Sequence, residues 1–193
     1  MADFNNIENL SDEELVKLTL ADQDNFLHII KRYEIKLSYY IKRISGLVSE
    51  DIEDILQEVF IKTYQNLNNF DQKLKFSSWI YRIAHNEVIS NWRKRKSRPE
   101  NVVWDAEKVL DNIVADFDIS QDIDRAILSK NMESIFSKMD IKYRDVLVLK
   151  FIEDKNYQEI SDILEKPMGT VATLINRAKK QFKKKLEESQ VKL

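Results

Sequence analysis

Residues 70–98 read FDQKLKFSSWIYRIAHNEVISNWRKRKSR, a stretch with aromatic rings at one end and positive charge at the other. Four aromatics fall within twelve positions and a fifth leads into the basic run: Phe70, Phe76, Trp79, Tyr81 and Trp92. Rings that stack on unpaired bases beside cations that hold phosphates are typical of single-stranded nucleic-acid binding. The alternative is a helix whose rings lie in the core and whose cations are solvated. Taken alone, this stretch favours that simpler interpretation.

Composition outside this stretch points to an all-α protein. The chain has 193 residues, of which 43% are hydrophobic and 33% are charged. Glycine and proline occur only twice each, which favours helices over tight turns. The absence of cysteine excludes disulfides and thiolate metal sites. Because no apolar run approaches the roughly 20 residues of a membrane span, and the acidic N-terminus lacks a signal-peptide pattern, we expect a cytoplasmic protein without membrane insertion.

Charge is divided along the chain rather than spread over it. The formal net charge is −2 at pH 7. Residues 91–98 carry five basic side chains and no acid, and residues 168–186 carry six basic side chains and no acid. Between them, residues 99–124 carry eight acids and one lysine. The pattern indicates two basic surfaces joined by an acidic connector, whose acidity solvation alone would explain.

Hydrophobic periodicity predicts three helices before the aromatic stretch. Ser11 and Glu14 have the spacing of a capping box, so a helix starts at Ser11. Apolar residues recur at helical spacing over residues 24–44, Gly46 marks a break, and a third helix spans residues 49–68. These apolar stripes are expected to form the core.

The third of these helices has an acidic face opposite its apolar stripe. Asp51, Asp54 and Glu58 fall at i, i+3 and i+7, where like charges cost a few tenths of a kcal/mol per pair. The helix macrodipole explains acids in the first turn. It does not explain Glu58, two turns further on. Binding to a basic partner therefore explains this acidic face about as well as the macrodipole does.

The remaining chain predicts a loop, a helix, a linker and a helix-turn-helix. A polar loop holds Phe70, Ser77 caps the next helix, and Pro99 ends it. Residues 99–122 predict a mostly irregular linker, after which helices resume.

The helix-turn-helix occupies the end of the chain. Residues 157–165 predict a short helix, residues 166–169 turn the chain, and Thr170 caps a longer basic helix that reaches residue 188. In such a motif the second helix enters the DNA major groove by its N-terminal residues.

Two sets of motifs resemble conserved regions of bacterial sigma factors. Three motifs resemble the second conserved region: DIEDILQEVF at 51–60, FSSWIYRIAHN at 76–86 and RKRK at 93–96. Four motifs resemble the fourth conserved region: YRDVL at 143–147, YQEISDIL at 157–164, GTV at 169–171 and RA at 177–178.

Because only the acidic segment lies between the two sets, the chain resembles the compact extracytoplasmic-function (ECF) branch of the sigma-70 family. The implied fold is all-α, with two small helical domains at residues 11–98 and 123–188. An acidic linker at residues 99–122 joins them, and the second domain contains the helix-turn-helix.

The resemblance implies that the first domain binds RNA polymerase and melts the −10 element of a promoter. The acidic face would bind the β′ clamp helices of core RNA polymerase through Asp51, Asp54, Gln57 and Glu58. An extruded −10 base would be captured by Phe70, Arg82 and Asn86. Duplex phosphates would be held by Arg93, Lys94, Arg95 and Lys96. The other rings, Trp79 and Tyr81, are expected to be structural.

The second domain would read the −35 element and contact the β flap. The implied DNA-binding residues are Thr170, Ala172, Thr173, Leu174, Arg177 and Lys180. The family pattern has cations at positions 172 and 174, so Ala172 and Leu174 depart from it. An arginine that reads guanine is missing at 174, although an apolar side chain can meet a thymine methyl group. We still expect this helix to bind DNA, but the base sequence of the −35 element that it reads is not predicted.

Other classes of function were weighed against this one. No GxxxxGK loop cradles phosphate, and His28 and His85 are isolated, so an enzyme, a metal site and a small-molecule substrate are not expected. No cofactor is implied. The expected partners are core RNA polymerase, promoter DNA and an anti-sigma factor. The main alternative is a repressor or activator that uses only the helix-turn-helix and dimerises or binds a ligand through its N-terminal half.

Overall fold

The structure is a computed structural model that describes residues 7, 9–95, 135–136 and 138–190. It divides into two compact units, one of Met1–Ile41 with Val48–Lys96 and one of Lys42–Leu47 with Ser97–Leu193. Every regular element in the described residues is helical, which confirms the all-α prediction. The predicted linker at residues 99–122 lies outside the described residues, as does most of the helical stretch expected to follow it, of which residues 135 and 136 are described and helical.

The described helices of the first half are α1 (Asp12–Ala21), α2 (Phe26–Ser45), α3 (Ser49–Asn66) and α4 (Phe76–Arg95), with 3₁₀ turns at Gln23–Asn25 and Leu67–Asn69. The predicted capping box is confirmed at the start of α1. The Ser11 Oγ accepts from the Glu14 amide at 3.2 Å, and the Glu14 carboxylate accepts from the Ser11 amide at 2.8 Å. The Ser11 hydroxyl also donates to the Glu14 carboxylate at 2.9 Å, and the amide and hydroxyl donors of Ser11 hold the pKa of Glu14 below its ordinary value. Gly46 ends α2 with a φ of +67°, where glycine lacks the steric penalty of other residues.

The described helices of the second half are α5 (Ile141–Leu147), α6 (Tyr157–Leu164) and α7 (Met168–Gln190), with a π-helical turn at Val148–Ile152 after α5. Among the described residues, no helix combines the length and apolar character that crossing a membrane needs.

A cluster of aromatic rings forms the centre of the first unit. Phe76, at the start of α4, is 1% exposed. Its ring centroid lies 5.7 Å from that of Tyr33 on α2, 5.5 Å from that of Phe70 and 5.7 Å from that of Trp79. These separations are typical of favourable ring pairs. The cluster therefore joins α2, the loop after α3 and α4.

Helix α1 is joined to α2 by a polar contact at the edge of this core. Arg32 Nη1 donates to Asp12 Oδ1 at 2.9 Å, and the Tyr33 hydroxyl donates to the other Asp12 oxygen. Burial raises the pKa of Tyr33 above its ordinary value, and the Asp12 charge raises it further. The phenol therefore stays protonated and remains a donor.

The second unit is built around a regular stripe on α7. The stripe consists of Val171, Ile175, Ala178, Phe182 and Leu186, each 2% exposed or less. Helix α6 contributes Ile160 and Ile163, both 0% exposed. The Phe182 ring also packs 5.4 Å from the Phe136 ring.

The predicted starts of two helices are wrong. Helix α4 begins at Phe76, so Ser77 lies within the first turn, and the Trp79 amide donates to the Lys75 carbonyl at 3.1 Å. Helix α7 begins at Met168 rather than at Thr170, because the Thr170 and Val171 amides donate to the Pro167 carbonyl at 2.8 and 3.0 Å. In both places a backbone carbonyl upstream of the preferred capping residue accepts the first hydrogen bond of the helix, so the helix starts earlier.

Replacing Phe76 with alanine is expected to reduce the free energy of unfolding by about 3–5 kcal/mol, because the change leaves a cavity among three ring neighbours. Phe76→Leu should lose less, since it retains most of the volume. Urea unfolding followed by far-UV circular dichroism gives the difference. Leu27→Ala is the control, since Leu27 is 51% exposed and should change stability by about 0.5 kcal/mol or less. Equal losses in Phe76→Ala and Leu27→Ala would contradict the central role of the ring cluster.

Candidate functional site

The acidic face of α3 is exposed as a continuous surface. Asp54, Gln57 and Glu58 are exposed, and Asp51 is half-buried. The opposite side of the helix is buried and forms part of the core through Ile52, Ile55 and Val59. The four predicted polymerase-binding residues therefore lie on the side of α3 that the core leaves available.

An aliphatic residue extends this acidic face. Ile61 is 48% exposed and lies seven residues after Asp54 and four after Gln57, which is the spacing of one helix face. Sequence reasoning overlooked it. Its position in the sequence could have indicated its exposure, since Ile61 falls outside the buried side of the helix that contains Val59 and Thr63.

A cavity of about 310 Å³ opens between α3, the turn that follows it and α4. Its walls combine amide groups, one indole ring, one aliphatic side chain and one acid–base pair, contributed by Lys62, Asn66, Asn69, Trp79, Ile83, Asn86 and Glu87. Asparagine amides both donate and accept hydrogen bonds, and the indole offers a flat apolar surface. Such a lining suits a planar ligand with polar edges, such as a nucleic-acid base.

An ion pair crosses from α3 to α4 at this cavity. Lys62 Nζ lies 2.5 Å from Glu87 Oε1, and the two side chains are 44% and 14% exposed. The side-chain Nδ2 of Asn66 also donates to the backbone carbonyl of Lys62 at 2.8 Å, which fixes the end of α3. The lysine offsets the negative charge that the Glu87 carboxylate brings to the cavity.

The three residues predicted to capture a base occupy different positions. Asn86 is exposed and lines the cavity. Phe70 is 8% exposed and packs with its ring centroid 5.2 Å from that of Trp79, so it contacts a cavity wall without lining the cavity. Arg82 is half-buried on α4 and is not among the lining residues.

Several cavity residues were not expected from the sequence. Trp79 was expected to be structural, whereas it is half-buried and lines the cavity. Lys62, Asn69 and Glu87 drew no attention because each is an ordinary polar residue on its own. The asparagine-rich run at residues 66–69 was the one available signal.

The C-terminal end of α4 carries the predicted phosphate-binding residues. Arg93 and Lys94 are exposed near the end of this helix. Arg95 is its last residue. The Arg95 side chain and Lys96 lie outside the described part of the chain.

The turn of the helix-turn-helix is fixed by side-chain contacts on α6. A capping box of Asn156 and Glu159 starts this helix. Glu165 ends it in the left-handed conformation, with a φ of +52°. The Ser161 hydroxyl donates to the Lys166 carbonyl at 2.5 Å. These contacts set the position at which α7 begins.

The exposed face of α7 differs from the predicted set. Thr170, Thr173, Arg177 and Lys180 are exposed, as expected for DNA contacts. Ala172 and Leu174 are half-buried, because each is about 100° around the helix from Thr173. Sequence reasoning missed one exposed residue of this face, Asn176, which lies three positions after Thr173.

Two family models match the chain in the order that the motifs predicted. The sigma-70 region 2 model matches residues 29–98, and the sigma-70 region 4 model matches residues 129–182. Region 2 thus contains the acidic face and the cavity, and region 4 contains the helix-turn-helix. The fold and the two matched regions are those of a transcription initiation factor of the sigma-70 class.

Curated relatives give the branch of that class. The chain is 36% identical over 190 residues to the ECF RNA polymerase sigma factor SigW of Bacillus subtilis, covering 94% of this chain and 100% of the relative. It is 28% identical to the ECF RNA polymerase sigma-E factors of Haemophilus influenzae and Escherichia coli K12, with 93% of this chain covered in each and 97% and 96% of those relatives. The chain belongs to the ECF sigma factors, and it functions in promoter recognition and transcription initiation by RNA polymerase.

Solved structures share the fold. One is CnrH in complex with the cytosolic domain of CnrY, with a TM-score of 0.65, 21% identity, and coverage of 92% of this chain and 97% of that one. Another is the sigma factor RpoE from Bartonella quintana in complex with the anti-sigma factor NepR, with a TM-score of 0.64, 16% identity, and coverage of 84% and 97%.

Proposed function

We propose that this sigma factor works through three surfaces: the acidic face of α3 on the β′ clamp helices, the α3–α4 cavity on one base of the −10 element, and α7 on the −35 element. The observation that supports this most is the cavity, because its amides and indole adjoin the helix that carries the basic run. The proposed domains are residues 11–98 and 123–188, with the linker at residues 99–122.

The partners of this proposal are core RNA polymerase, promoter DNA and an anti-sigma factor. Contact with the β flap is proposed for the second domain. The anti-sigma partner is supported by the two solved structures that share the fold, since RpoE was determined in complex with the anti-sigma factor NepR and CnrH in complex with the cytosolic domain of CnrY. The proposed place of action is the cytoplasm.

Base capture is proposed to supply part of the energy for promoter melting. Extruding a base from the duplex costs a few kcal/mol. Stacking on an aromatic ring returns about 1–3 kcal/mol per base, and Trp79 offers such a ring on the cavity wall. Hydrogen bonds from Asn86 and its neighbours would add to this, so one occupied cavity roughly offsets one extruded base. Phe70 would then act through Trp79, whose ring it supports.

Phosphate contacts are proposed to give affinity without sequence preference. Arg93 and Lys94 are exposed at the end of α4, and Arg95 and Lys96 continue the basic run. Each phosphate neutralised on duplex DNA steepens the logarithmic salt dependence by about 0.9. Thr170, Arg177 and Lys180 are proposed to hold the −35 duplex in the same way.

A run-off transcription assay with purified core RNA polymerase tests the function itself. The protein is expected to give a promoter-dependent transcript only when core enzyme is present. A repressor or activator of the helix-turn-helix class would instead bind symmetric duplex sites on its own. No promoter-dependent transcript from any tested host promoter, together with tight binding to duplex DNA alone, would support that alternative.

Asp54→Lys is expected to weaken binding to core RNA polymerase at least about tenfold, because like charges across an interface cost several kcal/mol. Titration of labelled protein with core enzyme measures the affinity. Glu34→Lys makes the same charge change at an exposed position on α2 and should leave the affinity nearly unchanged. If Asp54→Lys binds core as the wild type does, the acidic face is not the contact.

Asn86→Ala is expected to slow open-complex formation on duplex promoters about tenfold, equivalent to roughly 1.4 kcal/mol, because one cavity hydrogen bond is lost. Permanganate footprinting of unpaired thymines follows the opening. Asn68→Ala is the matched control, since Asn68 is exposed in the neighbouring turn and does not line the cavity.

A premelted promoter separates base capture from polymerase binding. The Asn86→Ala variant should recover most of its activity on a template with unpaired −10 bases, because the extrusion cost has been removed. Persistent loss on that template would refute base capture as the role of the cavity.

A further inference from the structure

We propose that Asn176 reads an adenine base in the −35 element and is a specificity-determining residue of this sigma factor. The inference rests on the proposed placement of α7 in the major groove. It concerns a residue for which neither the sequence motifs nor the family resemblance suggested a role.

The position of Asn176 follows from the phase of α7. The buried stripe of this helix contains Val171, Ile175 and Ala178, each 0% exposed. The opposite side must then contain Thr173, Asn176 and the residues one turn further on, since successive residues are 100° apart. Asn176 is exposed there, beside Arg177 and one turn after Thr173.

The two positions that carry cations in the family pattern point elsewhere. Ala172 and Leu174 lie on the two flanks of Thr173 and are half-buried. Both side chains are short or apolar, so neither can donate a hydrogen bond to a base edge. Among the uncharged side chains near the start of α7, the hydrogen-bonding groups available are therefore those of Thr170, Thr173 and Asn176.

The chemistry of these groups points to Asn176 as the base reader. The Thr173 hydroxyl donates to the Gly169 carbonyl at 2.8 Å, which engages its proton within the helix. An asparagine amide matches N6 and N7 of adenine with two hydrogen bonds, the pairing that distinguishes adenine in the major groove. Within the described residues the Asn176 amide makes no hydrogen bond.

Helix propensity gives an independent argument. Asparagine is less favourable than alanine in the interior of a helix because its amide competes with the backbone for hydrogen bonds. Asn176 lies nine residues into α7, too far from the end to act as a cap. An exposed helix-interior asparagine thus lowers helix stability, and among the described residues no hydrogen bond of its amide offsets that cost, whereas a base contact would.

Arg177 and Lys180 are assigned a different role by charge and reach. Their long cationic side chains suit phosphates, which they would contact in any sequence. Asn176 is uncharged, so a phosphate contact by its amide would add little affinity. The proposal therefore predicts two separable effects on one helix: base preference from Asn176 and overall affinity from Lys180.

The test uses full-length protein with core RNA polymerase and a promoter pool randomised over the −35 element. Each promoter carries a transcribed barcode that identifies its −35 sequence, and the transcripts are sequenced. The wild type is expected to enrich adenine at a defined −35 position. Asn176→Ala should reduce that enrichment about tenfold at that position alone. Asn176→Gln should retain an adenine preference there, because glutamine makes the same pairing. Lys180→Ala should lower output from all sequences to a similar extent.

Four outcomes would overturn the inference. Asn176→Ala with unchanged preferences at every position would show that Asn176 reads no base. A uniform loss over all sequences would show a phosphate contact instead. Loss of preference for a base other than adenine would show a different readout. A wild type that transcribes but has no −35 preference would remove the proposed role of α7 as well. Circular dichroism of Asn176→Ala should match the wild type, because alanine favours the helix.

Discussion

The packing of Phe76 is the constraint on which the first unit depends. Its ring meets Tyr33 on α2, Phe70 in the loop and Trp79 one turn along α4. This cluster fixes the loop against the start of α4 and leaves the indole of Trp79 half-buried at its edge. The cavity forms beside that edge. The core rings therefore set the position of the surface proposed to receive a base, and a change in the core would alter the base-binding surface as well.

Core packing also determines the other two surfaces, since each is the side of a helix that is not buried in the core. Helix α3 buries Ile52, Ile55 and Val59 and leaves its acidic side available. Helix α7 buries a stripe that begins at Val171 and leaves Asn176 exposed on the opposite side. Helical period thus couples stability to recognition: a one-residue shift of either stripe would bury the contacting side chains. The Lys62–Glu87 pair adds a second coupling, because it joins α3 to α4 and also neutralises an acid at the cavity.

Much of this arrangement could be predicted from the sequence. Composition and apolar spacing gave the all-α class, the capping box at Ser11 and the acidic face of α3, because helical contacts at i+3 and i+4 are local. The motifs gave the order of the two sigma regions. The helix starts at Ser77 and Thr170 were wrong, since packing and the Pro167 carbonyl extended both helices beyond the residues that local preference favours.

Sequence by itself determined which residues belong to each helix face, since that depends only on a fixed rotation per residue. Only the tertiary structure decided which residues meet across helices. Lys62 and Glu87 are 25 positions apart, and no local rule pairs them. Packing likewise decided that Phe70 is buried and that Trp79 is half-buried at the cavity, because both rings belong to the cluster around Phe76. The tertiary structure also decided how far Ala172 and Leu174 are covered, and both are half-buried beside the buried stripe of α7.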